Sequence, residues 1–109
     1  MAASDSGSSE DLHPIAGIDR LIHEPARLMI MAYLHVVESA DFLFLMRQTG
    51  LTAGNLSSHT SKLEAAEYIE VVKEFVDRKP HTMLRLTGAG RVAFREYREG
   101  MMQVLGEDD

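Results

Sequence analysis

The run Leu51-Thr52-Ala53-Gly54-Asn55-Leu56-Ser57-Ser58-His59-Thr60-Ser61-Lys62-Leu63-Glu64 decides how this chain is read. Thr52 is a good N-cap, because its hydroxyl can take one of the free N–H groups of a first helical turn. A helix is therefore predicted over Ala53 to Ala66. Leu56 and Leu63 lie one heptad apart, with Thr60 between them on the same side. Opposite lie Asn55, Ser58, Ser61 and Lys62, small or polar.

Upstream, Gly50 closes a shorter helix, Phe42 to Thr49, which Asp41 can cap and which carries Phe42, Leu43, Leu45 and Met46. Glu38-Ser39-Ala40 is a short connector, with one extended residue pair as the alternative. Pro25 starts a helix running from Ala26 to Val37, apolar on nearly every side and hence the expected central buried helix. Pro14 opens a first helical stretch, with Ile15, Ile18, Leu21 and Ile22 on one face. Downstream the period changes from helical to about 2. Ile69, Val71, Lys73 and Phe75 alternate with Glu70, Val72 and Glu74, the signature of a strand. Asp77-Arg78-Lys79-Pro80-His81 is a polar, proline-containing hairpin tip, and Thr82 to Leu86 returns as a second strand. Thr87 caps a last helix from Gly88 to about Leu105. The expected fold is mainly α with a small β-hairpin (α+β): four helices, a two-stranded wing and a C-terminal helix.

At 109 residues and 45% apolar content the chain has the size and balance of one globular domain. The absence of cysteine excludes disulfides, thiol catalysis and thiolate metal sites. The longest nearly apolar run, Leu28 to Val37, is broken by His35 and is too short to span a bilayer. The N-terminus lacks the regions of a signal peptide, so a cytoplasmic setting is expected, with no membrane partner. Net charge is −6, which argues against nucleic acid until its distribution is seen. Three acids lie in residues 1–12 and three in 106–109, leaving eleven acids against eleven bases between. Residues 1–12 are expected to be a disordered acidic tail, 13–105 the folded domain and 106–109 a second acidic tail.

A helix, a tight turn at Gly50 and a second helix make a helix-turn-helix, and the hairpin that follows makes it winged. The run quoted above, with Tyr68-Ile-Glu-Val-Val-Lys73 and Leu86-Thr-Gly-Ala-Gly-Arg-Val-Ala-Phe94, resembles winged-helix transcriptional regulators, nearest to the small MarR/ArsR-like group. The resemblance covers about residues 15–105. It implies DNA binding through the helix 53–66 and the wing. Two positions depart from the family pattern: Thr60 replaces a usual core leucine, and Glu67 stands where the family often has Gly. A left-handed Glu67 would cost roughly 1 kcal/mol relative to Gly.

The residues make the same case on their own. A helix enters the major groove only if its outer face is short enough to approach the base edges. Gly54, Asn55, Ser57, Ser58 and Ser61 meet that condition, with Thr52 at the helix start. The free N–H groups there favour a phosphate. Asn55 can bond an adenine edge, and His59 and Lys62 can add contacts. Arg78 and Lys79 sit where a wing would touch backbone or minor groove. The competing readings are a merely solvated helix face and a winged module that meets protein instead of DNA. The balanced charge of 13–105 favours the latter. For His59, packing sideways against a helix start is equally open.

No catalytic cluster is recognisable, so no enzyme activity and no cofactor are expected. Gly88-Ala-Gly-Arg matches a dinucleotide fingerprint loosely, but no further strand follows, and close packing is the better use of its glycines. His13, His23, His35, His59 and His81 are dispersed, without metal-site spacing; His35 reads as a satisfied histidine at the core edge. A small-molecule pocket near Met29, Tyr33 and Phe94, or an effector site between dimer helices, is a further alternative. The terminal helices offer Ile15, Ile18 and Ile22, and Ala93, Tyr97, Met101 and Leu105. These exceed what the core needs and predict an isologous homodimer. The expectation is a homodimeric regulator of transcription, a repressor by preference, whose partner is double-stranded DNA.

Overall fold

The computed structural model describes residues 14–106. Most of the acidic tails therefore lies outside the described residues. A 3-10 turn, Pro14–Gly17, is followed by α1 (Pro25–Val37), β1 (Ser39–Asp41), α2 (Phe42–Thr49), α3 (Ala53–Ala65), β2 (Ile69–Val76), β3 (Lys79–Leu86) and α4 (Gly88–Leu105).

The helix expected from Pro14 onward is only that turn. Gly17 weakens the helix, and the Asp19 side chain then captures the backbone. Its Oδ1 accepts from the N–H of Leu21 at 2.8 Å and of Ile22 at 3.2 Å, a local alternative to helical bonding. The segment still does its packing job, because Ile18 and Ile22 enter the core.

α1 starts where Pro25 suits the first helical position and the Glu24 carboxylate accepts from the N–H of Arg27 at 2.8 Å. That bond holds the Glu24 carboxyl below its ordinary range. Ala26, Ile30, Met31 and Leu34 are its buried stripe. The helix ends at Glu38, which has φ 70. Against these residues pack Leu45, Leu56, Leu63, Ile69, Leu84, Leu86, Phe94 and Tyr97, one continuous core.

The sheet has the order β1-β3-β2, all antiparallel. Where a connector over Glu38-Ser39-Ala40 was expected, Ser39–Asp41 is the third strand, pairing Ala40 with Leu84. The hairpin tip is tighter than the five residues expected. Val76 pairs with Lys79, so only Asp77 (φ 52) and Arg78 (φ 67) form the turn, both left-handed as a type I′ hairpin demands.

Three junctions fix α3 in place. Gly50 has φ 74 and ends α2 with its N–H on Met46. Thr52 caps α3 through the N–H of Asn55 at 3.1 Å. At its far end, Tyr68 N–H reaches Leu63 O at 3.0 Å and Glu67 N–H reaches Glu64 O at 2.8 Å, the paired bonds of a Schellman motif. Glu67 takes the left-handed position, φ 66, where glycine is usual. Thr87 then ties α4 to this end: its hydroxyl lies 2.7 Å from Glu67 O and 3.0 Å from Tyr68 O, and accepts from Gly90 N–H at 2.9 Å. A Cβ at Gly90 would collide with the Tyr68 carbonyl, so this glycine is required by close packing. Gly88 faces open space and is not.

Candidate nucleic-acid interface

α3 divides its circumference three ways. Leu56, Thr60 and Leu63 point inward and are buried. Thr60, polar where leucine was expected, donates its hydroxyl to Ser57 O at 3.1 Å. On the outer side Gly54, Asn55, Ser58, Ser61 and Lys62 are exposed, as are Thr52 and Ser57. No acid stands in the first turn to oppose the positive helix end. Thirteen residues make a rod about 20 Å long, enough to lie in a major groove.

The two flanks differ. On one side His59 is half-buried and turned onto the start of α1. Arg27 Nη1 lies 3.1 Å from His59 Nδ1, and Glu24 Oε1 lies 3.8 Å from the same nitrogen. A guanidinium can only donate, so the Arg27 contact uses Nδ1 as an acceptor. Arg27 also donates to Leu21 O at 2.6 Å. Sequence reasoning missed Arg27; the signal was a cation in the first turn of a largely apolar helix. On the other flank Ser57, Thr60, Ser61 and Glu64 face Val71, Lys73, Thr82 and Leu84 across a cleft of about 340 Å³, with Phe42 at its edge. α3 and the hairpin thus form two walls of one open groove.

Arg78 and Lys79 are exposed at the hairpin end, Arg78 in the turn itself and Lys79 at the first position of β3. The hairpin is braced two residues past its turn pair. His81 Nδ1 lies 2.8 Å from Asp41 Oδ2, while Asp41 Oδ1 caps α2 by accepting from Leu43 N–H at 2.7 Å. The hydrogen bond from His81 holds the Asp41 carboxyl below its usual range. One carboxylate therefore positions both the first helix of the helix-turn-helix and the wing.

The terminal residues expected at a dimer face separate into two sets. Ile18, Ile22 and Tyr97 are buried within this one chain. Their apolar surface closes the chain's own core against α4, so they are not free to meet a partner. Ile15 and Leu105 remain exposed, Leu105 at 77%, with Met102 at 65%; Ala93 and Met101 are half-buried.

Other side chains resolve as follows. His35 packs on Phe94 with centroids 4.9 Å apart and the rings tilted by 38°, but its buried Nδ1 has no hydrogen-bond partner among the described residues, so it is not satisfied. Phe94 is taken up by that contact and by Tyr97, and the Tyr33 hydroxyl donates to Gln48 at 3.3 Å. Tyr68 donates to Asp19 Oδ2 at 2.5 Å, which pushes its pKa up to about 12. Among the described residues no group of three or more His, Asp or Glu gathers where a metal could sit. No helix there is long and apolar enough to cross a membrane.

A capped helix presenting a short polar face, a tight turn before it and a braced hairpin beside it define the winged helix-turn-helix class of DNA-binding regulators. Residues 26–105 match the family described as winged helix DNA-binding domain, and the chain belongs to that family. It is 32% identical over 85 residues to an uncharacterized protein of Methanocaldococcus jannaschii, covering 78% of this chain and 92% of that one. Its fold is similar to that of a transcriptional regulator homologue from Pyrococcus horikoshii OT3, with TM-score 0.81, 27% identity, and coverage of 86% and 95% of the two chains. It is also similar to NadR, solved in complex with 4-hydroxyphenylacetate, with TM-score 0.64, 21% identity, and coverage of 80% and 69%.

Proposed function

We propose that the chain is a sequence-specific transcriptional regulator that binds duplex DNA as a homodimer. α3 enters the major groove and the hairpin lies on the backbone or minor groove. The observation that carries this reading is the uncovered face of Gly54, Asn55, Ser58 and Ser61, short side chains bordered by Lys62. Asn55 is suited to an adenine edge, the serines to bases or phosphates, and Lys62, Arg78 and Lys79 to phosphates. One such helix covers only a half-site, which is why a second copy is part of the proposal. The surface left for that copy is Ile15, Met101, Met102 and Leu105. Repression is the simplest output, since a bound dimer blocks a promoter.

Selection of bound duplexes from a random pool tests the reading and yields half-site spacing. The selected duplex then serves for salt titration. Arg78→Ala with Lys79→Ala is expected to weaken binding across all sequences and to reduce the slope of log K against log salt by about 2, one unit for each phosphate no longer neutralised. An unchanged slope removes the hairpin from the interface. The second reading, a protein-binding module that meets no DNA, is favoured by the balanced charge of residues 13–105. It requires that no shift of random duplex occur even at low salt.

A further inference from the structure

The hairpin is two-faced. Residues directly paired across β2 and β3 share a face, so Val71 and Leu84, Lys73 and Thr82, and Phe75 and Pro80 lie on one side. That side is the wall of the groove opposite α3, since Val71, Lys73, Thr82 and Leu84 line it. Glu70 and Glu74 lie on the reverse side, where Arg85 pairs with Glu70 at 3.2 Å. The strands' acids are thus all turned away from α3, and the near face carries Lys73 as its one charge. Beyond the groove that face ends in an aromatic ring and a proline. Phe75 is 76% exposed, Pro80 opposite it is exposed, and Arg78 and Lys79 follow at the tip.

We propose that the Phe75–Pro80 pair is an apolar wedge that enters the minor groove of the duplex held by α3. This deepens the proposed function and rests on it. Apolar side chains of this kind press between sugar walls or base steps, unstack them in part and bend the duplex. The arrangement of charge selects nucleic acid as the occupant: Lys73 stands on the wedge's own face and Arg78 follows in the turn beside Asp77, while Glu70 and Glu74 point the other way, on the side that Lys79 shares. Phe75 contributes apolar area without displacing counterions, so its energetic signature differs from that of the neighbouring bases.

The experiment uses the full chain and a duplex carrying fluorophores at its two ends. Phe75→Ala is expected to weaken binding about tenfold, the scale of partly burying one aromatic side chain, with the salt slope unchanged. It is also expected to abolish the rise in end-to-end energy transfer that the native protein produces. Phe75→Leu is expected to retain most of both. Both variants alter an exposed side chain, and thermal melting confirms that each is folded. Native affinity and native transfer in Phe75→Ala would overturn the wedge while leaving the DNA-binding reading intact. A fall in salt slope would overturn it too, by showing that Phe75 only holds neighbouring cations on phosphates. So would a change of oligomeric state in sedimentation with DNA binding preserved, which would make the pair a surface between two copies. Native protein that shifts no duplex at low salt removes both readings.

Discussion

Arg78 occupies a position that its side chain disfavours. At φ 67 in a two-residue turn, glycine is the preferred residue, and an L side chain costs roughly 1 kcal/mol there. Arg78 adds nothing to folding that glycine would not, which fits the contact proposed for it. Arg78→Gly is therefore expected to raise the unfolding free energy by about 1 kcal/mol in urea denaturation while weakening DNA binding. Loss of stability would refute the strain; unchanged affinity would refute the contact. Glu67 shows what could be seen at this scale beforehand. Its conflict with the family's glycine was legible in the sequence, and the left-handed backbone is realised. The pairing of Arg27 with His59 was not legible, because it joins residues 32 apart through a crossing of two helices.

The elements were legible wherever a cap or a change of period marked them. Asp41, Gly50, Thr52 and Thr87 each do the expected local job. What failed was the stretch after Pro14, whose apolar spacing suits a helix but whose backbone N–H groups are taken by Asp19. β1 was also unforeseen as a full strand, since three residues carry no period and their pairing with β3 is long-range. Asp41 joins these elements, and its substitution reports on them together. Asp41→Ala removes the cap of α2 and the partner of His81, and is expected to cost about 1–2 kcal/mol at pH 7. Because its folded carboxyl is held low, this contribution is complete above the ordinary carboxylate value of about 4 and is lost as pH falls through the lowered one. Urea midpoints of the native chain and the variant are expected to converge as the solution is acidified. A constant gap down to strongly acidic pH would show that the carboxylate's charge is irrelevant.

At the scale of the molecule, the sequence overstated the apolar surface available for assembly. Periodicity shows that Ile18, Ile22 and Tyr97 share faces, but not whether the chain covers those faces itself, and it does. The proposed dimer then depends on fewer side chains near the end of α4. Met102→Asp with Leu105→Asp is expected to convert a dimer to a monomer in sedimentation velocity. The thermal midpoint of the monomer fold should stay unchanged, because both side chains are exposed in it. A dimer surviving both charges would place the two-fold contact elsewhere.

Thr87 and Gly90 weld the start of α4 to the end of α3, so the two rods turn together as a single lever. If two copies clasp through α4, the gap between their reading helices becomes a fixed gauge. Operators whose halves are set nearer or farther than that gauge must then yield in the nucleic acid, and the protein acts as a ruler as well as a reader.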